Sequence, residues 1–195
     1  MVQAPTRTAT DLATLAISLI KQAGCEYGDV RFCNYRTQNL MARDRSLSNI
    51  SDNVSSGFGV RVLLNGAWGF AASPHKTLQE VERIVALAVD IAKGSRLSQQ
   101  TKVELVPVAA YQDTYITPIE IDPFAVAITE KADLLLSLNE KLLTYSDKGI
   151  KKAYSYLRST REDKIFASTI GSVIQQTIFD TPPSSLRCDG RFLLH

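Results

Sequence analysis

The segment VRVLLNGAWGFAAS at residues 60–73 constrains the fold more than any other part of the chain. Asn65 and Gly66 stand between two apolar runs, and a type I′ turn needs positive φ at both central positions, which Asn and Gly tolerate best. Two antiparallel strands joined by a tight turn are therefore expected. An isolated hairpin is marginal in water, so it must belong to a larger sheet with a covered face. The chain's only tryptophan, Trp68, sits directly after the turn among small residues.

Amphipathic patterns supply that cover. Thr8 and Asp11 form a capping-box pattern, after which Leu12, Leu15, Ala16, Leu19, Ile20 and Ala23 recur at helical spacing until Gly24. A second helix is predicted from Thr77, with Glu80 three residues on and an apolar stripe through Val81, Ile84, Val85, Ala88, Ile91 and Ala92 before Gly94 stops it. Asp122 and Pro123 read as the N-cap and first position of a third helix, marked by Phe124, Ile128, Ala132, Leu135, Leu138 and Leu142 and ending near Gly149.

Between the first two helices, residues 29–37, 40–45 and 47–51 mix apolar and polar side chains with the period of half-buried strands. Residues 150–180 look like strands again, with a polar turn at Arg161, Glu162 and Asp163 and a break at Gly171. Residues 95–122 lose periodicity and read as an extended connection with one short strand near 111–115. The order of elements is α+β: an antiparallel or mixed sheet covered by about three helices, and not a βαβ array.

With 195 residues, 45% hydrophobic and 22% charged, the chain is ordinary for a globular protein of one domain, sometimes two. Residues 1–8 read as a flexible N-terminus, 9–180 as the α+β domain, and 181–195 as a tail or the start of a further C-terminal domain. No run approaches the ~18 apolar residues that span a bilayer, and MVQAPTRTATD lacks the order of a secretory signal, so a cytoplasmic protein without a membrane partner is expected. Cys25, Cys33 and Cys188 are odd in number and lack C-x-x-C spacing, which disfavours a disulfide framework and a thiolate metal site. A net charge of +2 and a pI near 8.4 are too mild to demand nucleic acid or a membrane.

Four collinear segments carry a resemblance: AGCEYGDVRF at 23–32, GFGVRVLLNGAWGFAAS at 57–73, VERIVALAVDIAKGS at 81–95 and KIFASTIGSVIQQ at 164–176. Together they resemble the N-terminal domain of the TldD/PmbA proteins, metal-dependent peptidases also called modulators of DNA gyrase. The resemblance covers about residues 9–180. It implies a two-domain cytoplasmic peptidase in which this domain helps wall a substrate cleft, a C-terminal domain holds zinc, and subunits pair as homodimers or heterodimers. The family's metal motif is a His-Glu segment with a second His on one helix face, plus a distant cysteine. The two imidazoles can grip Zn²⁺ while the Glu takes a proton from the bound water. In this chain the histidines are His75, followed by lysine, and His195, the last residue; Cys188 lies beyond the matched region. No catalytic or metal-ligating residue is therefore assigned here, and zinc is expected only in a complete family member.

The hairpin is the place to look for binding. A peptidase acting on extended or unfolded segments can hold them by strand addition, and a glycine-rich strand lets a guest backbone come close. Gly57, Gly59, Arg61, Trp68 and Gly69 are the candidate contacts with a peptide or unfolded-protein substrate. The simpler reading is that Trp68 and Phe70 pack against the helices while the glycines set twist and bulges. His75 reads as an exposed loop residue, and Glu26 with Asp29 as polar residues at a turn into a strand. A basic and aromatic alternation, Lys152, Tyr154, Tyr156 and Arg158, flanked by Lys148, Lys151 and Arg161, would share one strand face as a single-strand nucleic-acid binder requires. A solvated sheet face accounts for it more simply, so nucleic acid is an unlikely partner. A non-catalytic subunit docking on a complete one is the remaining alternative.

Overall fold

The computed structural model describes residues 8–182 and the backbone of 185–190. Eleven elements follow in order among them: α1 (Ala9–Gln22), β1 (Tyr27–Arg43), β2 (Ser46–Leu64), β3 (Ala67–Ser73), α2 (Leu78–Ser98), β4 (Gln112–Ile116), α3 (Ile128–Leu143), a 3₁₀ turn at Ser146–Lys148, β5 (Ile150–Ser168), β6 (Val173–Asp180) and β7 (Ser185–Gly190). The chain divides into two compact units, one of residues up to Asn34, Ser55–Ile116 and Glu162–Thr177, the other of Tyr35–Val54, Thr117–Arg161 and residues from Ile178 onward. Strands β1, β2, β5 and β6 contribute residues to both.

In the first unit the strand order is β3-β2-β1-β5-β6-β4. The hairpin forms as predicted: β2 and β3 pair antiparallel from Phe58↔Ser73 to Leu64↔Ala67, and Asn65 and Gly66 adopt φ of 52° and 75°. Helix α1 carries the full capping box of Thr8 and Asp11. Its Leu12, Ala13, Ala16 and Ile20 meet Val81, Ile84, Val85, Ala88 and Ala92 of α2 over Val30, Phe32, Phe58, Val60 and Val62 of the sheet. Both helices thus cover one sheet face, as their stripes require.

Several boundaries differ from the sequence reading. Helix α2 runs past Gly94 to Ser98, because a glycine inside an established helix costs only ~1 kcal/mol and is not a stop by itself. The segments at 29–37 and 40–45 form one strand, β1, and the polar trio at 161–163 lies inside β5. The short strand β4 exists but pairs parallel to β6, so the sheet is mixed.

In the second unit α3 packs Ala132 and Leu135 on Leu40 and Ala42 of β1, with Leu157 beside them. Asp122 and Pro123 do not start this helix. The Asp122 carboxylate accepts from the Phe124 amide at 2.8 Å, a local turn that delays the helix to Ile128, and the N-cap Ala127 has no side-chain cap. Arg36 grips Asp52 through Nε at 3.0 Å and Nη2 at 2.8 Å, and its guanidinium lies 4.6 Å from the Phe124 ring centroid. Strand β7 pairs antiparallel with β5, within the stretch read as a tail. Residues 1–7 and the apolar trio Phe192, Leu193 and Leu194 lie outside the described residues.

Candidate peptide-binding face

Strand alternation sorts the predicted contacts onto two faces. Val60 and Val62 point to the helices, so Gly57, Gly59, Arg61 and Leu63 belong to the opposite face. Register places Phe70 beside Arg61 and Trp68 beside Leu63 on that same face. Gly69 faces the other way: a Cβ there would stand 1.9 Å from the Ala88 carbonyl oxygen and 2.6 Å from the Ala92 nitrogen, so it admits α2 and not a guest.

The opposite face is organised by a carboxylate. Asp29, only 2% exposed, accepts from Arg61 Nε at 2.9 Å and Nη2 at 2.6 Å, and Arg31 Nε lies 3.6 Å from its other oxygen. Both guanidiniums are stacked on rings: Arg61 is 4.8 Å from the Trp68 ring centroid and Arg31 is 5.6 Å from that of Phe166. Tyr27 meets Trp68 edge to face, centroids 5.9 Å apart. Burial raises the Tyr27 pKa, and the charge of Asp29 adds to the effect. Phe70 is 59% exposed beside this cluster. The result is a rigid platform of arginine forks and aromatic edges, able to donate to carbonyl or carboxylate oxygens and to take apolar side chains.

Glu26 serves the scaffold, accepting from the Gly66 amide at 3.1 Å. His75 is exposed. Among the described residues no group of three His, Cys, Asp or Glu side chains could hold a metal ion. Their donor set therefore does not fit the zinc of the family motif. Residues 28–92 match the family model described as PmbA/TldA metallopeptidase domain 1.

Over that segment the chain resembles the first domain of the TldD/PmbA proteins. It is 28% identical over 153 residues to a metalloprotease of Methanocaldococcus jannaschii, covering 78% of this chain and 33% of that one. It is 25% identical over 178 residues to a metalloprotease of Synechocystis, covering 87% and 37%. The chain thus spans about a third of the length of the curated relatives it matches. Its fold is that of a crystal structure from Bacteroides thetaiotaomicron described as a modulator of DNA gyrase, at TM-score 0.67 and 16% identity over 91% of this chain and 40% of that one. It is also that of TldE from Thermococcus kodakarensis, at TM-score 0.58 and 12% identity over 91% and 43%.

The sequence singles out Arg61 and Trp68 but not the residues that fix them. By sequence Asp29 reads as a polar residue at a turn into a strand, and Tyr27, Arg31 and Phe166 do not stand out. Alternation along residues 27–31 places Tyr27, Asp29 and Arg31 on one face, which is the signal available. Their partner Arg61 lies 32 residues from Asp29, beyond any local pattern.

The basic and aromatic alternation on β5 is engaged within the protein. Tyr156 Oη donates to Asn39 Oδ1 at 2.7 Å, and the Arg43 guanidinium lies 5.5 Å from the Tyr154 ring centroid. Among the described residues no helix is long and apolar enough to cross a membrane.

Proposed function

We propose that this chain is the non-catalytic N-terminal portion of a TldD/PmbA-type metallopeptidase, offering the face around Arg61 as one wall of a cleft for peptides or unfolded protein. The observation that carries the reading is Asp29. A carboxylate buried on a face that no helix of its unit covers costs desolvation, and the two arginines offset that cost while being held in fixed orientations. A Cβ on Gly59 would stand 3.0 Å from the Phe70 ring and one on Gly57 2.9 Å from the Ser73 carbonyl oxygen, so both glycines admit the chain's own neighbours; Arg61 donates to guest carbonyls, and Trp68 and Phe70 take guest side chains. Hydrolysis, with its zinc, belongs to the remainder of a complete family member in the cytoplasm.

Subunit contact is the second part of the proposal, as a homodimer or a heterodimer. Leu105, Val106, Val108 and Tyr111 are all exposed on one extended segment, an apolar run that a partner subunit would cover. Cross-linking tests the cleft wall directly. An unfolded peptide carrying a photoreactive phenylalanine should label residues 57–70, with no hydrolysis by the chain alone. Labels scattered over α1 and α2 instead would refute the assignment.

A further inference from the structure

The second unit contains a solvent-open cavity of about 510 Å³ with a mostly apolar lining that includes Ile119, Ile121, Val126, Leu134, Leu157 and Phe179, of which Ile119, Ile121 and Leu134 are exposed. Lys131 also lines it, and this lysine is only 5% exposed. Its ammonium donates to Gln38 Oε1 and to the Pro123 carbonyl, and stands 5.8 Å from the Phe124 ring centroid. Among the described residues no carboxylate lies within ion-pair distance of it. Burial depresses its pKa, with the charge of Asp52 working the other way. A buried ammonium satisfied only by neutral oxygens is costly, and it has three donors for two acceptors.

A second feature points the same way. The N-terminus of α3 adjoins the cavity through Val126, just before the N-cap, and Lys131; the N-cap Ala127 makes no side-chain hydrogen bond, and Glu130 is the acidic residue of the first turn. The orphan amides of that turn add positive potential where the lysine already supplies a charge. A volume of about 510 Å³ falls in the range of small-ligand sites.

We propose that this cavity binds a small monocarboxylate with an apolar body: the carboxylate takes the remaining N–H of Lys131, and the hydrocarbon part packs on Ile119, Leu134, Leu157 and Phe179. Glu120, exposed and also on the lining, disfavours a second negative charge on the ligand. The C-terminal residue of a peptide and a medium-chain fatty acid share this chemistry. The site is independent of the face around Arg61, so either assignment can fail without the other.

Titration calorimetry on the whole chain decides it, with N-acetyl-phenylalanine, its carboxamide and octanoate as probes. At least one of the two carboxylates should bind, and the tighter of them identifies the source. Where the peptide-like acid binds, its carboxamide should bind about tenfold more weakly, since a hydrogen bond to a charged group is at stake. Lys131→Met should abolish carboxylate binding. Ile121→Asp, at a side chain 70% exposed and so tolerant of change, should weaken carboxylate binding about fivefold or more with thermal stability unchanged. The proposal is overturned if neither carboxylate binds at ~10 mM, if acid and amide bind equally, or if Ile121→Asp leaves the affinity unaltered. The last comparison decides the matter even where Lys131→Met does not fold.

Discussion

Replacing Gly69 with alanine places a methyl group 1.9 Å from the Ala88 carbonyl oxygen and 2.6 Å from the Ala92 nitrogen. Both atoms are backbone of α2, so no rotamer change relieves the contact. To restore an ordinary separation the helix must withdraw by about 1.5 Å, and dispersion contacts weaken steeply over such a gap. The side chains that then lose packing are those of the α2 stripe, Val81, Ile84, Val85, Ala88, Val89 and Ala92, six of the seventeen buried residues of the first unit's core. Overpacking typically costs ~1–3 kcal/mol, and a clash with rigid backbone belongs at the upper end, about 3 kcal/mol. For a chain of this size that corresponds to a fall in Tm of roughly 6–12 °C. Gly94 supplies the control, because an added Cβ there meets nothing within 4 Å and the residue lies inside α2. Gly94→Ala should stabilise by about 0.5–1 kcal/mol. Guanidinium denaturation of both variants measures the pair. A Gly69→Ala protein within about 0.5 kcal/mol of the parent, or a Gly94→Ala protein less stable than it, would refute the packing of α2 on β3.

Two further outcomes are expected. Asp29→Asn removes the charge that two arginines share and should lower stability by about 1.5–3 kcal/mol in urea denaturation, with loss of near-ultraviolet signal from Trp68. Glu80 is held down to about 2 from 4.5, foremost by its hydrogen bonds to Arg83 and then by Ser73. Its folded pKa is depressed, so its contribution is complete above pH 4.5 and lost as pH falls toward 2; Glu80→Gln should flatten the acid limb of the stability profile across that window.

The elements that the sequence made legible are those with local chemistry. The Asn65-Gly66 turn, the Thr8 box and the Thr77 cap each act within four residues, and each formed. What local pattern missed was decided by distant partners. Gln38 interrupts the apolar alternation of β1 but is buried, bound by its amide to Asp52 at 2.9 Å and by its oxygen to Lys131. Asp163 looks like a turn residue in β5, yet it accepts from Thr177 Oγ1 at 2.8 Å across the sheet. Strands of 17 and 19 residues are also far longer than usual, so splitting them was the expected error. The parallel pairing of β4 with β6 leaves no signature in either segment. At the candidate face, alternation groups Gly57, Gly59 and Arg61 and sets Gly69 with Val62 on the other side, where α2 closes over it.

Trp68 makes the face around Arg61 directly observable, because it is the chain's only tryptophan and stacks on the arginine that would meet the guest. An unfolded, tryptophan-free peptide should change its emission saturably, and Phe70→Asp should suppress that change while leaving the unliganded spectrum intact. A labelled peptide that binds, by anisotropy, with no response from Trp68 would contradict the assignment of this face as the peptide-binding wall.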